Sequence, residues 1–185
     1  VSSTNSTGQV KITDREVTFN DIEKALNLSK TMKVPNDKTL LYALPTEYLV
    51  DGQNGITDPL RMNGIKLEAR SHLIHCSKNT KENILKCIRS VSKSLTVTNF
   101  YFNQLGVAEV ILSEEQKKLG VCLIDIGAGT TDISVYVNGS IFFSKVLPYA
   151  GDYVTERIAL ALDIPQGDAE KIKKKYGCAF SDIAS

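Results

Sequence analysis

The stretch LIDIGAGTTDISVYVNG, from Leu123 to Gly139, holds the residue types in this chain best suited to chemistry. Asp125 closes an apolar run, Gly127 and Gly129 flank an alanine, Thr130 and Thr131 follow, and Asp132 opens an alternating segment. Glycines let backbone N–H groups converge on one concavity with no Cβ in the way, which is the nest that binds phosphate. The two threonines add hydroxyl donors. Asp125, at the end of a strand, suits a hydrated Mg²⁺, because a carboxylate beside phosphate needs a cation between them. The same string also fits a tight β-hairpin whose glycines supply positive φ. A dinucleotide fingerprint or a P-loop does not fit, since both run from strand to helix and this string runs from strand to strand.

The elements around the string must position it. Val121 to Asp125 reads as a continuous, buried apolar strand, and Thr131 to Val137 alternates, with Ile133, Val135 and Val137 on one face and Asp132, Ser134 and Tyr136 on the other. Asn138-Gly139 is a type I′ turn signal, so SIFFSKVLP returns as a third antiparallel strand and ends at Pro148. Gly151-Asp152 opens a helix through Val154, Ile158, Ala161 and Leu162, stopped by Pro165. Asp168 caps a second helix, AEKIKKKY, whose late lysines suit the macrodipole and whose Gly177 is a natural C′ residue.

Upstream, residues 8–99 read as a small α/β unit. QVKITDREVT has strand character, and Thr18 then caps a helix with Asp21 at its third position and Val17 stapled onto Ile22. That helix runs to about Thr31, with Ile22, Ala25, Leu26 and Ser29 inward and Asp21, Glu23, Lys24 and Lys30 in water. TLLYALPTEYLVDG and GIKLEARSHLIHC follow as antiparallel strands around a loop spanning 51–64. Asn79 and Glu82 then form a capping-box-like start for a helix carrying Ile84, Ile88 and Val91, which completes a βαββα unit. LTVTNFYFN is a strand candidate, and QLGVAEVILSEEQKKLG a helix running into a charged turn.

Composition narrows the function classes. In 185 residues, 42% hydrophobic content argues against disorder, and a net charge of +1 provides no field to steer nucleic acid. No run approaches the length of a membrane helix. Cys76, Cys87, Cys122 and Cys178 form no C-x-x-C pair and read as reduced, buried thiols of a cytosolic protein. His72 and His75 lie near Cys76, but strand positions three apart face opposite sides, which disfavours a metal cluster. With Val1 at its start, the chain reads as a piece of something longer.

LIDIGAGTTDISVYVNGSI is similar to the second phosphate motif of the actin, Hsp70 and sugar-kinase ATPase superfamily. LGVCLIDIGAGTTDISVY with KVLPYAGDYVTERIALAL closely resembles the FtsA family of bacterial cell-division proteins. GQVKITDREVTFNDIEKA and LLYALPTEYLVDGQNGITDPLRMNGIKLEARSHLI resemble the subdomain inserted in that family, and DAEKIKKKYGCA resembles the family's next segment after the phosphate motif and its helix. The resemblance implies an α/β fold: an inserted interaction subdomain with a short leading segment over 1–99, and the start of the second actin-like (ribonuclease-H-like) domain, with its phosphate hairpin, over 100–185. It implies ATP and Mg²⁺ as cofactors, with Asp125, Gly127, Gly129, Thr130 and Thr131 around the phosphates and metal, and Gly151 beside the nucleotide. Glu170 and Lys173, in the A-E-x-I-K pattern, are implied to face ribose and adenine, whereas composition alone makes them an exposed helix face.

The implied role is a scaffold at the inner face of the cytoplasmic membrane. It tethers the FtsZ ring, recruits later division proteins and self-associates into filaments, with weak or absent ATPase activity. The family's first phosphate motif, adenosine motif, FtsZ-contacting subdomain and lipid-docking C-terminal helix have no match in these 185 residues, which alone should bind ATP weakly or not at all. Glu109, in GVAEVIL, stands where the family usually keeps small polar residues. Two other readings share the phosphate motif: the actin-like protein of type IV pilus assembly, which also shares the insertion, and another actin-fold ATPase or kinase. No general-base constellation for a kinase and no Ser-His-Asp or Cys-His arrangement is visible.

Overall fold

The computed structural model describes residues 1–31 and 34–179. The chain forms two compact units, Val1–Leu123 with Ile133–Lys145, and Ile124–Asp132 with Val146–Ser185. Residue 99, where sequence places a domain boundary, lies inside the first unit.

The first unit is built on a four-stranded antiparallel sheet in the order β1-β4-β2-β3, from β1 (Ser2–Lys11), β2 (Lys38–Val50), β3 (Gln53–Ile56) and β4 (Lys66–Ser77). Helix α1 (Phe19–Lys30) packs on β1 and β4. Ile12, Val17, Ala25, Val50, Leu67 and Ala69 form its core. At Gly8 the helix backbone presses directly on the strand: a Cβ there would stand 2.0 Å from the Ala25 carbonyl oxygen and 2.4 Å from the Ser29 nitrogen. Below it, Ser29 and Ser71 join their hydroxyls at 2.8 Å in a buried pair. Only a glycine permits that approach.

β4 alternates between buried and wetter positions as far as Arg70, then is buried at every residue from Ser71 to His75. Ser71 meets α1, while His72 turns to the other face, where Nδ1 lies 2.6 Å from Asn5 Oδ1 and Nε2 lies 2.9 Å from Ser144 Oγ. Because an amide oxygen only accepts, His72 donates from Nδ1 and receives the Ser144 hydroxyl at Nε2. Burial, then the neighbouring His75, hold the His72 pKa down to about 4. Pro45 is tolerated in β2 because it lies outside the stretch paired with β3, and the register slips by one just after it.

Several elements differ from expectation. β1 begins at Ser2 rather than near Gly8. Asp21 is buried, not wet, since its short side chain folds back: Oδ2 accepts from the Thr18 N–H at 3.0 Å and the Thr18 hydroxyl at 2.6 Å. β3 arises within the expected loop, closed by Asp51 and Gly52 with positive φ of 49° and 87°. Helix α2 (Lys78–Val91) starts one residue before Asn79, on Ser77, with no side-chain cap, and Ile84 and Val91 stay exposed. The LTVTNFYFN segment forms no strand.

Two helices, α3 (Asn103–Ile111) and α4 (Glu114–Leu119), replace the one expected, because Leu112 is extended and Ser113 with Gln116 forms a fresh capping box. Lys117 on α4 is 4% exposed and donates to Glu109 and Glu114, both at 2.9 Å, so Glu109 serves an ion-paired helix junction. The thiols differ as well: Cys76 is half-buried, while Cys87 and Cys122 are exposed.

A second sheet has the order β5-β6-β7, from β5 (Val121–Ile126), β6 (Thr131–Val137) and β7 (Ser140–Leu147). The Asn138-Gly139 turn has φ of 53° and 83°, as a type I′ turn requires. On β6 the buried face is the one with Ser134 and Tyr136, where Ser134 donates to Gln104 at 2.9 Å. β5 is less buried than its apolar run suggests: Leu123 is buried, but Ile124 and Ile126 are exposed. Cys122, Ile124 and Ile126, which alternate with Leu123 and Asp125 along the strand, share the exposed face. Helices α5 (Gly151–Leu162) and α6 (Gln166–Tyr176) pack on each other in the second unit. Asp168 lies inside the first turn of α6 without capping it, and Gly177 ends that helix in an extended rather than left-handed conformation.

Candidate functional site

The hairpin between β5 and β6 turns at Ala128-Gly129, and the Gly127 N–H donates to the Thr130 carbonyl at 2.9 Å. Neither Gly127 nor Gly129 has positive φ, which overturns the hairpin explanation for these glycines. At Gly127 a Cβ would come within 3.3 Å of the Thr130 oxygen, so packing favours glycine there. At Gly129 a Cβ would meet nothing within 4 Å. Glycine at 129 therefore answers neither a backbone nor a packing demand of the fold.

The hairpin is fixed by its carbonyls. Gly127 and Ala128 accept the first two N–H groups of α5, from Gly151 at 3.1 Å and Asp152 at 2.8 Å, so they cap a helix that has no side-chain cap. Thr131 donates its hydroxyl to the Tyr149 carbonyl at 2.7 Å. Thr130 lies 3.3 Å from Asp132 Oδ2. With the carbonyls engaged, the N–H groups of Ala128, Gly129 and Thr130 have no acceptor among the described residues. Three successive free donors at an exposed bend are what an anion nest needs. The Asp125 carboxylate, half-buried at the end of β5, likewise makes no hydrogen bond or ion pair among the described residues. A lone carboxylate beside free donors fits a metal-bound phosphate chemically.

On the helical side, Gly151, Glu170 and Lys173 come together, joined by Thr155, which sequence reasoning missed. Lys173 Nζ donates to the Gly151 carbonyl at 3.0 Å and to Thr155 Oγ1 at 2.8 Å, and pairs with Glu170 at 2.6 Å. Thr155 Oγ1 lies 2.5 Å from Glu170 Oε2 and 3.1 Å from the Gly151 oxygen. Its single proton goes to the carboxylate, since charged acceptors make the shorter, stronger bond. The Lys173 bond, then the Thr155 hydroxyl, hold the Glu170 pKa down to about 2. Glu170 and Lys173 are therefore not a plain solvated face. One signal for Thr155 lies in the sequence: a threonine four residues after Gly151, placed to bond back along a helix.

The fold is that of an actin-like α/β protein carrying a small inserted α/β domain. A chain of the solved PilM-PilN type IV pilus biogenesis complex shares that fold, with a TM-score of 0.58 and 18% identity over 95% of this chain and 48% of the other. At the sequence level the chain belongs to the FtsA family: residues 1–75 match "SHS2 domain inserted in FTSA" and residues 122–185 match "Cell division protein FtsA". It is 44% identical over 184 residues to cell division protein FtsA of Pseudomonas aeruginosa, covering 100% of this chain and 44% of the relative. With the Escherichia coli K12 protein of the same description it shares 39% over 183 residues, covering 99% of this chain and 43% of the relative. The chain thus spans under half the length of these curated relatives.

Proposed function

We propose that this chain supplies one wall of an ATP-binding cleft in a bacterial cell-division scaffold, acting within a protein of its relatives' full length. The observation that carries the reading is the hairpin turn, with three N–H donors unclaimed among the described residues and a glycine at 129 that the fold itself does not need. Ala128, Gly129 and Thr130 bind a terminal phosphate, Gly127 keeps the turn tight, and Thr131 with Gly151 holds the turn against α5. Asp125 holds Mg²⁺ through water, and the metal supplies positive charge between carboxylate and phosphate. Glu170 and Lys173 border the sugar and base. ATP binding, rather than fast hydrolysis, is the working event, and the nucleotide-bound protein self-associates into filaments.

Relatives at 39–44% identity support the division role. In this reading the whole protein tethers the FtsZ ring at the inner face of the cytoplasmic membrane and recruits later division proteins. Residues 1–75, matching the inserted domain, are the protein-contact surface in this reading. The pilus likeness is one of fold at 18% identity and supports no second function. The test is complementation: in cells depleted of their own FtsA-family protein, the whole protein should restore septation and Gly129→Val should not. Septation restored equally by Gly129→Val would contradict the reading.

A further inference from the structure

The hydrogen bonds of the second unit form one continuous path. Glu170 accepts from Thr155, Thr155 accepts from Lys173, Lys173 donates to the Gly151 carbonyl, the Gly151 N–H donates to the Gly127 carbonyl, and the Gly127 N–H donates to Thr130. At the end of the path lie the free donors of the bend. Each link but one is made by backbone or by a charged side chain with alternative partners. The exception is Thr155, which is 7% exposed and is the neutral group between the two charges of α6 and the first turn of α5.

We infer that Thr155 is a positioning residue: its hydroxyl aims Lys173 at the Gly151 carbonyl and so sets how firmly α5 holds the phosphate hairpin. An ammonium has three donors and no preferred direction of its own. Here Thr155, Glu170 and the Gly151 carbonyl take all three, which fixes the Lys173 head. Without the hydroxyl, Lys173 and Glu170 still pair as an i,i+3 couple on α6, but the Gly151 carbonyl becomes the single hydrogen-bonded hold of that couple on α5 among the described contacts, with no neighbouring group to direct the ammonium toward it. The low Glu170 pKa agrees, with the Thr155 hydroxyl as its second cause. Bond polarisation along such a path makes removal of an inner member costlier than its own two contacts. For ligand binding, this inference rests on the reading of the hairpin as an ATP site.

Thr155→Val keeps shape and removes the hydroxyl, whereas Thr155→Ser keeps it. The first readout needs no nucleotide: amide hydrogen exchange of residues 124–132 in the whole protein. Thr155→Val should speed exchange of the Gly127 amide about tenfold, and Thr155→Ser should match wild type. Unchanged exchange in Thr155→Val, or equal acceleration in Thr155→Ser, would overturn the inference. If Thr155→Val does not fold, Lys173→Gln, at a half-exposed side chain, must give the same hairpin acceleration or the inference falls. The second readout is Kd for a fluorescent ATP analogue with Mg²⁺. Thr155→Val and Lys173→Gln should each weaken binding about tenfold, and the double variant little more than either. Additive losses would overturn the coupling, while wild-type protein that binds no analogue would overturn the ATP reading alone.

Discussion

Lys173, on the second helix of the helical pair, donates its ammonium to the carbonyl of Gly151, the first residue of the other helix, at 3.0 Å. Two residues 22 positions apart thus bring the charge cluster of α6 to the point where α5 grips the glycine hairpin. A Cβ at Gly151 would lie 3.5 Å from that ammonium and 3.4 Å from the Gly127 oxygen, which is ordinary contact. Gly151→Ala should therefore fold normally, with a melting temperature within a few degrees of wild type. A large loss of stability would show the contact to be tighter than described.

Glu170 makes the helix pair sensitive to acid. Its pKa is depressed from 4.5 to about 2, so the unfolded state takes up its proton first as pH falls. The stabilisation by this group is fully present above pH 4.5 and is lost as pH falls through that value toward 2. The Glu170 carboxyl carbon shift, followed by NMR, should titrate well below the ordinary glutamate range. In Lys173→Gln, without the largest cause of the shift, it should return toward that range.

His72 acts in the same direction at higher pH. Its pKa is lowered from 6.5 to about 4, so the neutral ring contributes stability above 6.5 that is lost as pH falls toward 4. His75 is lowered too, by burial and then by Lys38. Urea midpoints of the wild type should fall across that window, and His72→Gln should show a shallower fall. An equal slope in the variant would place the sensitivity elsewhere.

The inserted sheet offers two contrasting substitutions. Gly8→Ala drives a Cβ into helix backbone and should cost about 3 kcal/mol or more, because neither Ala25 nor Ser29 can move without its helix. Thr18→Ala removes one capping hydroxyl and should cost about 1 kcal/mol. Denaturant unfolding that ranked Thr18→Ala as the more damaging would contradict the packing described at Gly8.

Much of this architecture is legible in the sequence, and the failures have physical causes. Thr18 with Asp21, the Asn138-Gly139 turn and the long strands of the inserted sheet are readable because cap, turn and alternation are local rules. Asp51-Gly52 and Ser113 with Gln116 carry equally local signals that their surroundings mask, the first inside a loop-rich stretch and the second inside an apparent single helix. The LTVTNFYFN segment has β-favouring residues but pairs with no strand, since propensity does not supply a neighbour. At the site, the glycine and threonine types are informative. Thr155 carries in sequence only the local signal of a threonine one turn after Gly151, because its importance comes from partners on another helix, at positions 170 and 173.

Whether the bend at Ala128-Gly129 grips phosphate is decided by equilibrium binding of a fluorescent ATP analogue with Mg²⁺ to the whole protein. Wild type is compared with Asp125→Ala and Gly129→Val, with melting temperature measured alongside. Because a Cβ at Gly129 meets nothing within 4 Å, the valine variant should melt close to wild type yet lose binding at least tenfold, and Asp125→Ala should lose its Mg²⁺-dependent part. Wild-type affinity in a well-folded Gly129→Val would contradict the account and leave the glycine string as a hairpin without a ligand.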